Sequence, residues 1–392
     1  MTRKTVVGVT GATGKVGRAL VLRLRELGYR TLAFSRTSPA GGTDDDALDY
    51  SDLDTKFARC DIVVHLAALN NDAKTQDLAT FRVANVEFTR HLASISASSG
   101  VRKFINLSTV HALDPRRVDP YSVSKREAVD ALRDVDGLCV SNIYASRVYA
   151  LNGTPSGLAR LFWRVAPALQ PCVSFDQLAD DLIAEMESDV CADRIASHRA
   201  ETHILYRWAK RAIDIAFALS VTLLFWWLLA LVWLAVKLTS AGPGIFAQTR
   251  VGKDGAHFTC YKFRTMGADT KSVATHEVAA ASVTPLGKFL RASKIDELPQ
   301  IVNLVRGEMT LIGPRPCLPQ QEELIRERSN RGVYAITPGI SGFAQVNGID
   351  MSDPVRLAQQ DAIYLSTQSL IGDIRLLFRT LIGGGSGDKV RA

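Results

Sequence analysis

Apolar residues in the first half of the chain fall in short runs separated by polar, helix-forming stretches, and a far longer run interrupts the second half. Thr5 to Thr10 (TVVGVT), Thr31 to Phe34, DIVVHLAAL and FINLST each read as a strand, and a helical pattern runs from Arg18 to Leu27. That alternation predicts an α/β domain on a parallel, Rossmann-type sheet. From Ile215 to Val236 (IAFALSVTLLFWWLLALVWLAV) no residue is charged, while Arg207, Lys210 and Arg211 stand just before it. The run matches the roughly 20 residues needed to cross a bilayer core, and soluble helices rarely extend so far without a polar face. The pattern therefore predicts a domain at residues 1–200, a linker and membrane helix at 201–240 and a second domain at 241–392, with the boundary in the polar stretch from Ser197 to His203.

Composition sharpens this only a little. A chain of 392 residues, 47% hydrophobic and 22% charged, suits two cores better than one. The formal net charge of +7 suits anionic partners: nucleic acid, lipid headgroups or phosphorylated substrates. Six cysteines, Cys60, Cys139, Cys172, Cys191, Cys260 and Cys317, are scattered without CxxC spacing, so neither a zinc site nor a disulfide framework is expected and a reducing compartment fits best. A strand-like run and a glycine loop follow Met1 in place of a cleavable apolar segment, so no signal peptide is expected and the N-terminus is expected to stay in the cytoplasm.

The first strand ends in GATGKVG, where Gly11, Gly14 and Gly17 open a helix and present bare amides to a diphosphate. Such turns also serve tight packing alone. The next strand ends in Ser35-Arg36 in place of an acid, and an arginine there could pair with a 2'-phosphate, favouring NADP over NAD. Then follow Asp49 in LDYSD, Ala67 and Ala68, Asn85 on a helix, Ser108-Thr109, and Tyr121-Ser-Val-Ser-Lys125. This order of motifs resembles the extended short-chain dehydrogenase/reductases that act on nucleotide sugars. The resemblance implies that Tyr121 is the acid/base, that Lys125 lowers its pKa and holds the nicotinamide ribose, and that Thr109, with Ser108 beside it, polarises the substrate oxygen. A tyrosine of pKa near 10 needs such a neighbouring cation to act near neutrality. That family's chain continues into a substrate-binding lobe, whereas here only RVYALNG and VSFDQLADDLIAEM precede the membrane run.

In the second half, Pro299 is tolerated only in a first helical turn, so the helix carrying IVNLV should begin at Asp296 or Glu297. Capping alone would explain an acid there. The flanks add Arg250, Lys253, Lys262, Arg264, Lys288, Arg291 and Arg315, a basic setting in which one carboxylate could attack phosphorus while cations hold the oxygens and a divalent cation neutralises the remaining charge. KRAIDIAFAL, QTRVGKDG, YKFRTM, SKIDELPQ, MTLIGPRP and PGISGFAQVNG, in this order from about Lys210 to Ile382, resemble the small monotopic phosphoglycosyl transferases, the bacterial sugar transferase family. The resemblance implies a mainly α-helical monotopic membrane domain. Within it Asp296 is the nucleophile and a magnesium contact, Glu297 the assisting acid/base, and Lys262, Arg264, Arg291 and Arg315 bind phosphate. It further implies a UDP-sugar donor and an undecaprenyl phosphate acceptor, with no nucleic acid partner, and it leaves a homodimer open.

Members of that family break the membrane helix with Ser-Pro so that it re-enters; here Trp226-Trp227 stand instead. Cations on both flanks of the apolar run and two domains that need cytoplasmic ligands still favour a re-entrant helix, with both domains on the cytoplasmic face of a bacterial inner membrane. The residues around GFAQVNG and from Ala268 to Val283 are expected to choose the sugar. Two other readings stand: a non-catalytic NADP-binding first domain, or a membrane-tethered nucleotide-sugar oxidoreductase.

Overall fold

The structure, a computed structural model, describes residues 5–36, 47–150, 156–267 and 283–382. Residues 268–282, the stretch expected to help choose the sugar, lie outside the described residues. The chain divides into two compact units, Met1–Pro167 with Pro171–His198, and Ala168–Gln170 with Arg199–Ala392.

The first unit is a seven-stranded parallel sheet. Its strands are β1 (Val6–Thr10), β2 (Arg30–Phe34), β3 (Ala47–Leu48), β4 (Ile62–His65), β5 (Lys103–Thr109), β6 (Cys139–Ala145) and β9 (Arg194–Ala196). They lie in the order β3-β2-β1-β4-β5-β6-β9, while β7 (Arg147–Tyr149) and β8 (Cys172–Ser174) pair apart from it. Successive side chains of a strand point to opposite faces, and both faces are covered here. Val7, Val9, Val64 and Ile105 pack under the helices Lys15–Glu26 and Phe175–Glu187, while Val6, Val63 and Phe104 pack with Phe57 and Leu92 on the other side. Two buried faces explain why the strands read as unbroken apolar runs. The strand order reverses between β1 and β4, which puts a crevice at the carboxyl ends of these two strands, where Gly11 and Ala67 meet.

One expectation fails in this unit. Cys139, which opens β6, is paired in a disulfide with Cys191, just before β9, their Cα atoms 5.9 Å apart. The two are 52 residues apart in sequence, and only the parallel pairing of β6 with β9 brings them together.

The second unit begins with one helix, Ile204–Thr239, of 36 residues and so about 54 Å long. It is helical through Trp226-Trp227, whose second indole N–H donates to the Leu224 carbonyl at 3.1 Å, so any return toward the starting side is not made by breaking the helix. After it come the hairpin β10 (Ile245–Val251) and β11 (His257–Phe263), and the helix Pro285–Ala292. A 3₁₀ turn, Ile295–Gln300, leads directly into the helix Ile301–Arg306. The short parallel pair β12 (Thr310–Ile312) and β13 (Gly339–Ser341) and the helices Glu322–Asn330, Pro354–Thr367 and Leu370–Leu381 complete the unit.

The long helix is fastened by its first turns. Lys210 Nζ donates to Asp373 Oδ2 at 2.6 Å and to the Ile312 carbonyl at 2.7 Å, and the Tyr206 and Tyr364 hydroxyls donate to the same carboxylate. Arg211 donates to the carbonyls of Leu304 and Val305 at the end of the helix Ile301–Arg306. Asp214 accepts from the Leu311 amide at 2.8 Å and from the Thr310 hydroxyl.

Candidate functional site

The 3₁₀ turn places both acids of SKIDELPQ at one end of a pocket. Lys294, at φ 58°, turns the chain into it, and Pro299 sits inside the turn while the α-helix starts only at Ile301. No side chain caps this turn, so neither acid is spent on capping. The pocket holds about 640 Å³. Lys262, Lys288, Arg291, Asp296, Glu297 and Arg315 line its polar end, and Phe217, Leu298, Ile301, Leu311, Ile340 and Leu377 its apolar wall.

The two carboxylates have opposite environments. Glu297 Oε1 accepts from Lys262 Nζ and from Arg315 Nη2, both at 2.9 Å. Burial raises its pKa, but these two cations overcome it and hold the carboxyl down at about 2. Asp296, 8% exposed, takes no hydrogen bond from any described residue. Burial and the Glu297 charge beside it push its pKa up to about 6 against the pull of Lys262, Arg291 and Arg315. Glu297 is thus a fixed anion that orders two cations, and it has no proton to give near neutrality. Asp296 is the carboxyl left open to the pocket.

The surrounding elements hold the cations in place. Arg291, at the end of the helix Pro285–Ala292, donates from Nε to Thr265 Oγ1 at 3.0 Å. That contact depends on Gly287, where a Cβ would meet the Thr265 carbonyl oxygen at 2.1 Å. Arg328, buried and paired with Asp361 at 2.7 Å, donates to the Arg315 carbonyl and fixes the loop between the two prolines. Arg264 is not brought to the pocket. The strand ends at Phe263, and the next side chain turns to the Pro243 carbonyl at 3.0 Å. Sequence reasoning missed Thr265, Arg328 and Asp361; an arginine and an aspartate 33 residues apart on two helices leave no local signal.

Residues fit for a metal are few. Among the described residues no three His, Cys, Asp or Glu side chains cluster. A magnesium ion, however, is commonly held by one carboxylate together with substrate phosphates, and Asp296 can supply that carboxylate.

In the first unit, Gly11 has φ +71°, and a Cβ on it would meet the Ala67 amide nitrogen at 2.7 Å. A Cβ on Gly17 would meet the Gly11 carbonyl oxygen at 2.3 Å. The tight turn therefore delivers the N-terminus of the helix Lys15–Glu26, uncapped by any side chain at Gly14, to the crevice. The Gly11 amide donates to the Tyr50 hydroxyl at 3.0 Å. Arg36 is exposed just beyond β2 and close enough to act electrostatically on Tyr50. Asp49 is committed to Lys56 at 2.5 Å and to Ser51, bonds that hold its carboxyl well below the usual range.

Tyr121 bonds Thr109, but burial and the Asp119 charge push the phenol up to about 12. Lys125 is buried, donates to the Leu107 carbonyl at 2.8 Å, and is lowered by burial to about 8. The lysine therefore does not depress the phenol in this state. Ser108 Oγ is buried with no hydrogen-bond partner among the described residues, an orphan that a bound dinucleotide or substrate would satisfy. Asn85 bonds the Leu69 backbone on both sides and Ser124 Oγ at 3.0 Å, tying the loop after β4 to the helix Pro120–Arg133.

A family profile described as bacterial sugar transferase matches residues 205–384, and one described as NAD dependent epimerase/dehydratase family matches residues 7–164. The UDP-glucose:undecaprenyl-phosphate glucose-1-phosphate transferase of Caulobacter vibrioides is 40% identical over 181 residues, 44% of this chain and 68% of that protein. The undecaprenyl-phosphate glucose phosphotransferase of Komagataeibacter xylinus is 37% identical over 185 residues, 44% of this chain and only 35% of that protein. Among solved structures, a UDP-N-acetylglucosamine 4-epimerase from Bacillus cereus covers 50% of this chain and 76% of its own at 19% identity, with a TM-score of 0.40.

Proposed function

Because the chain belongs to the bacterial sugar transferase family, we propose that it moves a sugar-1-phosphate from a UDP-sugar to undecaprenyl phosphate through a covalent intermediate on Asp296. One observation carries this reading: a buried carboxylate with no hydrogen-bond partner among the described residues, flanked by cations that a second carboxylate orders, at the polar end of a pocket with an apolar wall. The Asp296 carboxylate attacks the sugar-bearing phosphorus, the bond to the bridging oxygen breaks, and UMP leaves with that electron pair. A phosphate oxygen of the polyprenyl carrier then attacks the same phosphorus, and the bond to Asp296 breaks. Lys262, Arg291 and Arg315 hold phosphate oxygens throughout, fixed before substrate arrives, which is the arrangement that stabilises developing charge best. The apolar wall receives the first carbons of the polyprenyl chain. Magnesium, held by Asp296 and the diphosphate oxygens, would offset charge that the three cations leave.

Intact-protein mass spectrometry of the detergent-solubilised enzyme with magnesium and a panel of UDP-sugars tests this. A mass gain of one phosphosugar, absent in Asp296→Asn, is expected and names the sugar; no gain with any donor overturns the assignment.

We further propose that the first unit binds NADP, with Gly11, Gly14 and Gly17 at the diphosphate and Arg36 at the 2'-phosphate, and reduces or epimerises the sugar. The dinucleotide would supply or accept hydride. Tyr121 would exchange the proton at the sugar oxygen, with Thr109 and Ser108 orienting it, once ligand draws the Lys125 amine from the Leu107 carbonyl. Tyr121→Phe should then change the final glycan or its rate. If glycan and rate are unchanged while NADP still binds, the unit is a regulatory module.

A further inference from the structure

A second cavity of about 430 Å³ lies where the long helix begins, lined by residues none of which carries a proposed step. Tyr206, Lys210, Arg211, Asp214 and Tyr364 line it and are bonded to the fold, but four other polar side chains of its lining keep open atoms. Gln368 is 3% exposed, lines the cavity, and its amide Nε2 has no hydrogen-bond partner among the described residues. Glu201, whose Oε1 lies 3.9 Å from Arg199 Nη1, turns its other carboxylate oxygen, the buried Oε2, into the cavity region, where it accepts no hydrogen bond from a described residue. Arg207 and Lys253 line the same cavity, and neither makes a side-chain hydrogen bond to a described residue. Buried polar atoms are nearly always partnered, so a donor and an acceptor both left open in one cavity point to a ligand carrying both complements. The rim is apolar: Ile204 is 68% exposed and Trp208 71%, in the first turns of the helix whose later residues form the long uncharged run. Trp at this position is the side chain that settles at a membrane–water interface.

We propose that this cavity binds the headgroup of an aminophospholipid. The phosphodiester sits against Arg207, Lys253 and the Gln368 amide, the primary ammonium donates to Glu201, and the glycerol and acyl carbons leave over Ile204 and Trp208. Arg199 reaches only the other Glu201 oxygen, so a purely anionic headgroup satisfies Gln368 but leaves Oε2 without a donor, whereas a headgroup that also carries an ammonium satisfies both. Such a site fixes the depth of the helix by binding a component of the bilayer itself.

Native mass spectrometry of the full chain in a neutral detergent, titrated separately with phosphatidylethanolamine, phosphatidylglycerol, phosphoethanolamine and inorganic phosphate, tests the assignment. One phosphatidylethanolamine should be retained with at least tenfold preference over phosphatidylglycerol. Arg207→Gln with Lys253→Gln should lose it, Glu201→Gln should abolish the preference, and Arg59→Gln with Arg90→Gln, exposed cations of the first unit, should change nothing. Equal or better retention of phosphatidylglycerol overturns the proposal. So does retention unaffected by the pocket substitutions, and so does saturation by free phosphate alone, which would mark a soluble anion site.

Discussion

Two adjacent carboxylates sit in opposite electrostatic environments. Asp296 at about 6 is mostly ionised at neutral pH yet poorly solvated, and Glu297 at about 2 keeps Lys262 and Arg315 aimed at the pocket. This arrangement has a stability consequence with a definite sign. The folded state raises Asp296 from 3.8 to about 6, so folding favours its protonated form, and stability falls as pH rises through that window. Above about pH 6 the full cost applies, on the order of 2–3 kcal/mol for a shift of about two units. Asp296→Asn removes the cost together with the proposed nucleophile. The variant should therefore melt several degrees higher than wild type at pH 7.5 in detergent, and the two curves should converge below about pH 4. A variant that melts lower at pH 7.5 would mean that the carboxylate is stabilised in the free enzyme, against the environment described. The pairing of the acids was readable from SKIDELPQ, but the bonds from Lys262 and Arg315 to Glu297 were not, since these cations lie 35 and 18 residues away from it.

Among elements, KRAID shows how the long helix, which lends Phe217 to the pocket wall, is locked to the rest of its unit. Lys210, Arg211 and Asp214 together fasten the same stretch of helix to three elements, and Arg211 holds the carboxyl end of the short helix whose leading turn carries Asp296. Asp214 is 4% exposed and satisfies both a hydroxyl and an amide. Asp214→Ala orphans the buried Leu311 amide at a cost of about 1–3 kcal/mol. Hydrogen exchange at β12 and along residues 204–221 should accelerate, with Asp214→Asn milder because its amide oxygen still accepts. Unchanged exchange at Leu311 would show that the bond does not hold the helix. The strands of the first unit were legible because both faces of its sheet are apolar, and the glycine turn because its spacing is local. The partners of KRAID were not, since Asp373, Thr310 and Leu304 lie about ninety to one hundred and sixty residues away and only tertiary folding selects them. The Cys139–Cys191 pair was hidden for the same reason.

At the scale of the whole molecule the open question is which side of the bilayer each end of the long helix occupies, and the packing within the second unit constrains it. Ala218 is buried among Leu304, Leu311 and Leu376, and Val236 among Phe263 and Leu290, while residues 222–227 between them are exposed. Both ends of the uncharged run are therefore covered by the same folded unit. If that run crossed the membrane, β11 with Lys262 and the helix with Arg291 would follow Val236 through the hydrocarbon, at about 2.5–3.5 kcal/mol for each charge near the centre. A helix lying shallowly, with its exposed Leu223, Phe225, Trp226 and Leu231 in the acyl region, avoids that cost and needs no break at Trp226-Trp227. The proposed topology thus keeps the re-entrant outcome, both flanks cytoplasmic, while replacing a kinked hairpin with a tilted continuous helix. Cysteines introduced at Thr202 and Ala241, both exposed, report on it, and background is low because four native cysteines are buried and two are paired. In spheroplasts an impermeant maleimide should label neither position, and both should react after permeabilisation. Labelling of Ala241→Cys alone from outside would establish a true crossing, and the second unit, with Asp296, would then have to find its nucleotide sugar on the wrong side of the membrane.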